Sequence, residues 1–132
     1  MSEKKQESLE HKRLVEALID ELKRQGFEIT AAACEGYEPC PEVEKLFADI
    51  KAYNRRKDYV VFGVAASCDD LQNELTEEKF KLFSSRYMAS GKAKGSAVPL
   101  CIAITIGCEK QLETCLEKLK IGQKKNIFLY AF

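Results

Sequence analysis

Net charge is the first thing this sequence lacks. Its 21 Lys and Arg residues are balanced by 21 Asp and Glu, a formal charge of zero over 132 residues. A neutral total excludes a uniform cationic coat for nucleic acid but leaves room for a local basic patch. Long apolar runs are missing as well. None approaches the roughly 18 residues of a membrane span, and the opening MSEKKQESLEHK has no signal-peptide core. The expectation is a soluble, cytoplasmic protein with no membrane partner. Histidine occurs once, at His11, so a Cys–His or Ser–His catalytic arrangement would have to recruit that residue. Gly91 and Gly95 bracket lysines without a Walker or dinucleotide pattern. No internal repeat, linker or low-complexity stretch is present.

Close cysteine pairs are absent too. Cys34, Cys40, Cys68, Cys101, Cys108 and Cys115 form no CxxC, and most sit in apolar text such as AAAC and PLCIAITIGC. In an intracellular chain this favours reduced, buried thiols acting as small apolar residues. Zinc usually draws on close pairs, and the short spacing here is Cys34 to Cys40, so metal ligation by cysteine is not expected.

What is present is the periodicity of one α/β domain over residues 8–132, with a frayed polar segment over residues 1–7. Leu14, Val15, Leu18, Ile19 and Leu22 recur at helical spacing, with Ser8 as N-cap and Gly26 at the C-cap. Opposite that stripe, His11, Lys12, Arg13, Glu16, Asp20 and Lys23 form a solvated face. Phe27 to Cys34 alternates like a half-buried strand, with Phe27, Ile29, Ala31 and Ala33 on one side. EGYEPCPEVEK, holding two of the three prolines, is a loop. Leu46 to Tyr53 is a second strand, and Asn54 to Asp58 an exposed turn. Tyr59 to Ala66 is a third strand, apolar enough to be central and covered on both faces. Thr76 opens a second helix whose apolar face is Phe80, Phe83, Tyr87 and Met88. GKAKGS is a basic loop, Val98 to Ile106 a strand, Glu109 to Lys120 an amphipathic helix, and Asn126 to Phe132 a closing strand. The order is α-β-β-β-α-β-α-β. It implies a mixed five-stranded sheet flanked by helices, an antiparallel meander leading into parallel strands.

One stretch carries a motif. Asp49 stands on the second strand after Ala48. The third strand ends Gly63-Val64-Ala65-Ala66-Ser67, followed by Asp70-Leu71 and Thr76. In this order and spacing the chain resembles the PD-(D/E)XK nuclease-like (restriction-endonuclease-like) superfamily, whose third strand often ends Gly-Glu-Ala-Lys-Thr. The resemblance implies that fold over most of the chain and a metal-dependent phosphodiesterase site at Asp49, Val64 and Ala66. In the family, Glu and Lys two residues apart on a strand project together beside the Asp. The carboxylates hold a divalent cation, and the lysine supplies charge for the nucleophile and transition state. Val64 and Ala66 stand at the Glu and Lys positions and can do neither. With Val60 and Phe62 they make an apolar strip that reads as packed core.

The resemblance therefore implies a catalytically degenerate domain that binds nucleic acid or a protein partner and needs no cofactor. Asp49 is the remnant acid, also readable as one polar position on a partly solvated face. In the rival reading, Glu16, Glu35 or Glu38 joins Asp49 to rebuild a Mg2+ or Mn2+ site in a divergent endonuclease. As plain residues, Glu16 solvates its helix, and Glu35 and Glu38 are loop acids. Arg55, Arg56 and Lys57 in the turn, with Arg86, Lys92 and Lys94 after the second helix, are the phosphate-contact candidates. A further group, Lys118, Lys120, Lys124 and Lys125, gathers near the last helix. The plainer reading of all these cations, and the one preferred here, is solubilising or dipole-matching charge. The oligomeric state is open. A third reading makes this a small structural protein associating, for example as a dimer, through NIFLYAF.

Overall fold

The computed structural model describes residues 8–132; the expected frayed segment at residues 1–7 lies outside them. Helix α1 (Leu9–Arg24) begins where expected, the Ser8 hydroxyl accepting from the His11 N–H at 3.1 Å. It ends at Gln25, and Gly26 takes the left-handed conformation beyond it. Strand β1 (Glu28–Ala32) is shorter than the expected Phe27–Cys34. Its register shifts between Ile29 and Ala31. That irregularity breaks the simple alternation: Ile29 packs toward α1, whereas Ala31 faces the opposite side.

The expected strand Leu46–Tyr53 is divided. A two-residue hairpin, β2 (Glu42–Val43) with β3 (Leu46–Phe47), takes its first part, and β4 (Ile50–Asn54) the second. Asp49 sits at the break. Strand β5 (Tyr59–Ala66) has its expected limits and leads into a 3-10 turn over Asp70–Gln72. Helix α2 (Glu74–Phe83) is capped by Asn73, whose side chain accepts from the Leu75 N–H at 2.8 Å, so Thr76 lies inside the first turn rather than before it. Strand β6 (Leu100–Ile104), helix α3 (Glu109–Lys118) and strand β7 (Ile127–Ala131) complete the chain.

The main sheet runs β1-β4-β5-β6-β7. Pairs β1–β4 and β4–β5 are antiparallel, β5–β6 and β6–β7 parallel. β5 is thus the central strand, as its nearly unbroken apolar text requires. Leu14, Leu18 and Leu22 of α1 cover one face, over Ile50, Ala52, Val61, Ala65 and Ala103. Phe80 and Phe83 of α2 with Leu112 and Leu116 of α3 cover the other, over Phe62, Val64, Ala66, Ile102 and Ile104. Two cores of this size fit a chain of this length. Among the described residues, no helix is long and apolar enough to cross a membrane.

Candidate functional site at the carboxyl edge of the sheet

Strands β1, β5, β6 and β7 all end at one edge, where β4 and α1 begin. In open α/β sheets this edge is the usual place for ligands. Asp49 lies there, only 4% exposed. Its backbone stitches two strands together: the Asp49 N–H donates to the Gly63 carbonyl at 2.8 Å and its carbonyl accepts from the Ala33 N–H at 2.7 Å. Ile50 is also paired with Gly63, so the chain steps out of register at Asp49, and the upper end of β5 loses its neighbour. The side chain replaces the missing strand. Its Oδ2 accepts from the Ala65 N–H at 2.8 Å, while Oδ1 lies 3.2 Å from His11 Nε2.

His11 therefore is not on a solvated face. Its side chain is 15% exposed. The sequence does carry the signal: His11 stands three residues before Leu14 and four before Val15, in line with the apolar stripe. Asp49, likewise, is buried rather than on a partly solvated strand face. A buried His–Asp pair can orient an imidazole for proton transfer. Near it, Cys40 is buried, and its thiol is pushed up to about 12, chiefly by burial and then by the Asp49 charge. A thiol held protonated in this way is a poor nucleophile.

The other expected site residues do not gather here. Val64 and Ala66 are 1% and 0% exposed in the α2–α3 core, with no opening for a metal or phosphate. Glu16, Glu35 and Glu38 are exposed, Glu38 engaging β1 through its carbonyl rather than its carboxylate. Among the described residues, no group of three or more His, Cys, Asp or Glu is arranged to hold a metal ion. The donors do not fit a divalent cation.

Beside the pair opens a cleft of about 540 Å³, lined by Ser8, Glu10, Arg13, Ser67, Cys68, Asp69, Thr105 and Cys108. Arg13 grips Glu10 through two hydrogen bonds, at 2.8 and 2.6 Å, and reaches the Phe132 carbonyl at 3.1 Å. The Thr105 hydroxyl also donates to Glu10. These donors, Arg13 first and Thr105 next, hold the Glu10 carboxyl down to about 2. Across the cleft, Ser67 and Asp70 cap each other reciprocally, Ser67 N–H to Asp70 Oδ2 at 3.0 Å and Asp70 N–H to Ser67 Oγ at 3.3 Å. Between these two walls lies a Cys68–Cys108 disulfide, which corrects the expectation that all six thiols are reduced. Cys40, Cys101 and Cys115 are free thiols. Cys68 and Cys108 follow the ends of two adjacent parallel strands. That juxtaposition brings them together; their separation of 40 residues gives no hint of it.

The basic residues occupy the opposite edge. Asp58 ties two loops there, its Oδ2 accepting from the Lys92 N–H at 3.0 Å and its Oδ1 from the Tyr53 hydroxyl at 2.7 Å. Gly91, with φ +83°, passes so close that a β-carbon would lie 2.8 Å from Asp58 Oδ2. The Arg55–Lys57 turn and the Lys92–Lys94 loop are thereby held side by side. Arg55 pairs with Glu28 at 2.8 Å and Arg86 with Glu44 at 3.1 Å. Arg56, Lys57, Lys92 and Lys94 are exposed and form no ion pair among the described residues. Comparison with protein-family models, with curated proteins and with solved structures finds no significant match to this chain.

Proposed function

We propose that this chain is a catalytically degenerate PD-(D/E)XK nuclease-like domain that binds nucleic acid through its basic edge and does not cut it. The reading rests on one observation above others: the cations and the remnant acid lie at opposite ends of β5. Tyr59 follows the basic turn, and Asp49 bonds to Gly63 and Ala65; these are four to six residues along the strand, roughly 13–20 Å at about 3.3 Å per residue. A phosphate held by Arg56, Lys57, Lys92 and Lys94 is therefore far beyond reach of Asp49. The state of Asp49 agrees, since both carboxylate oxygens already have protein neighbours. The order of elements and the antiparallel-then-parallel sheet are what the family resemblance calls for.

Four cations set the expected scale of binding. With each neutralised phosphate contributing roughly 0.7 (single strands) to 0.9 (duplex DNA) to the salt slope, affinity falls about 50- to 150-fold between 50 and 200 mM salt. Fluorescence anisotropy with labelled single- and double-stranded DNA and RNA measures this. R56E combined with K57E is expected to weaken binding at least tenfold, and no probe is expected to be cleaved with Mg2+ or Mn2+ present. Cleavage that D49A abolishes would replace this reading with the divergent endonuclease. Absence of binding to every probe would turn the search to a protein partner.

One observation favours a second reading, self-association. Strand β7 is an edge strand of sequence IFLYA, and Phe128 and Leu129 are 47% and 49% exposed. An apolar edge of this kind invites pairing with another chain.

A further inference from the structure

The Cys68–Cys108 bond lies where the α2–α3 core meets the wall of an open cleft, and its two sulfurs are not equivalent. Cys68 is half-buried in the loop after β5, whereas Cys108 is 1% exposed at the N-cap of α3, a helix of 10 residues. A thiol entering the cleft meets Cys68 first. The electron pair released by breaking the bond then falls on the sulfur at the positive end of the α3 dipole, where a thiolate is favoured as a leaving group. The Cys108 side chain makes no capping hydrogen bond that would have to break. The remaining buried thiols are poor competitors. Burial pushes Cys101 and Cys40 up to about 12 and also raises Cys115.

From this geometry we infer that the Cys68–Cys108 bond is a thiol-exchange site, opened by a low-molecular-weight thiol that attacks Cys68 Sγ. In the first step the incoming thiolate forms a mixed disulfide with Cys68, the Cys68–Cys108 bond breaks, and Cys108 leaves as the thiolate. A second thiolate attacks the small-thiol sulfur of the mixed disulfide and releases Cys68. Two small thiols are oxidised to one small disulfide, the protein disulfide is reduced to two thiols, and the two protons pass to Cys68 and Cys108. Opening the bond unties the Ser67–Asp70 loop from α3 and so lets thiol chemistry alter the cleft. This site is independent of the nucleic-acid reading and stands or falls separately.

Native protein incubated with mixtures of reduced and oxidised glutathione tests it, with free thiols trapped by N-ethylmaleimide and located by mass spectrometry. The expected result is reversible opening of this bond while Cys40, Cys101 and Cys115 stay unlabelled. Cys108→Ser is expected to take up one glutathione at Cys68 at least tenfold faster than Cys68→Ser takes it up at Cys108. Equal uptake by the two variants would overturn the assignment. If either variant fails to fold, the wild-type reduction rate decides. Reduction faster than global unfolding, measured by pulse proteolysis, supports the site; reduction limited by unfolding makes the bond a buried staple and refutes it.

Discussion

Asp49 shows how one side chain can take over the work of a missing strand. Because its carboxylate satisfies the Ala65 N–H and faces His11 in a buried setting, D49A leaves two polar groups without that acceptor. The expected cost is about 2–3 kcal/mol in urea denaturation, a large share of a domain's ~5–15 kcal/mol. Asn in its place retains an acceptor oxygen and should cost less. A metal-binding acid would behave differently, its removal abolishing activity at little cost in stability. Glu10 makes a second test at this scale. Its carboxyl is held from the usual 4.5 down to about 2 by Arg13 and Thr105. A depressed folded-state value means that the stabilising contribution is fully present above about pH 4.5 and is lost as pH falls through about 2. NMR titration should therefore show the Thr105 and Phe132 amides shifting with a midpoint near pH 2, and E10Q should remove that transition. A midpoint at the ordinary value would mean that the Arg13 grip does not persist in solution.

Helix α1 and strand β5 meet too closely for a side chain at Gly63, where an added β-carbon would lie 3.0 Å from both Leu18 Cδ2 and Ile50 Cβ. G63A is accordingly expected to destabilise by about 1–3 kcal/mol through overpacking. A neutral result would mean that α1 can lift from the sheet without loss. The loop after β5 and helix α3 are held together instead by the Cys68–Cys108 bond, across 40 residues of sequence. Closing a loop of that length removes unfolded-chain entropy worth roughly 4 kcal/mol. Reduced protein should therefore denature at a lower urea midpoint than oxidised protein, with a steeper slope because its unfolded chain exposes more surface. Coincident curves would show the bond to be stabilising little.

For the whole molecule, the two edges of the sheet have different characters: a buried pair and a disulfide cleft at the carboxyl edge, exposed cations at the other. The lateral edge, β7, decides the assembly. If it pairs with a second copy, light scattering on a sizing column should give twice the 14.9 kDa chain mass, and F128K combined with L129K should return the protein to monomer. Wild-type protein that is already monomeric up to high concentration would remove the self-association reading.

The sequence by itself determined the α/β class and the order of the main helices and sheet strands. Helical spacing from Leu14 to Leu22 and the apolar run Tyr59–Ala66 are local patterns, and they fixed α1 and the central strand without reference to the rest of the chain. The burial of Val64 and Ala66 was legible for the same reason, because alternation assigns a face. Tertiary structure alone decided the candidate site. Asp49 is buried because β4 begins one residue later, and neither that break nor the β2–β3 hairpin has a signature in Leu46–Tyr53. His11 stood in line with the apolar stripe, yet what it faces, Asp49 at the entry to β4, lies 38 positions along the chain. Cys68 and Cys108 meet because two parallel strands end side by side, and pairing between distant segments is not written in the spacing of either one. Local periodicity sets which residues turn inward; the packing of distant segments sets what they meet there.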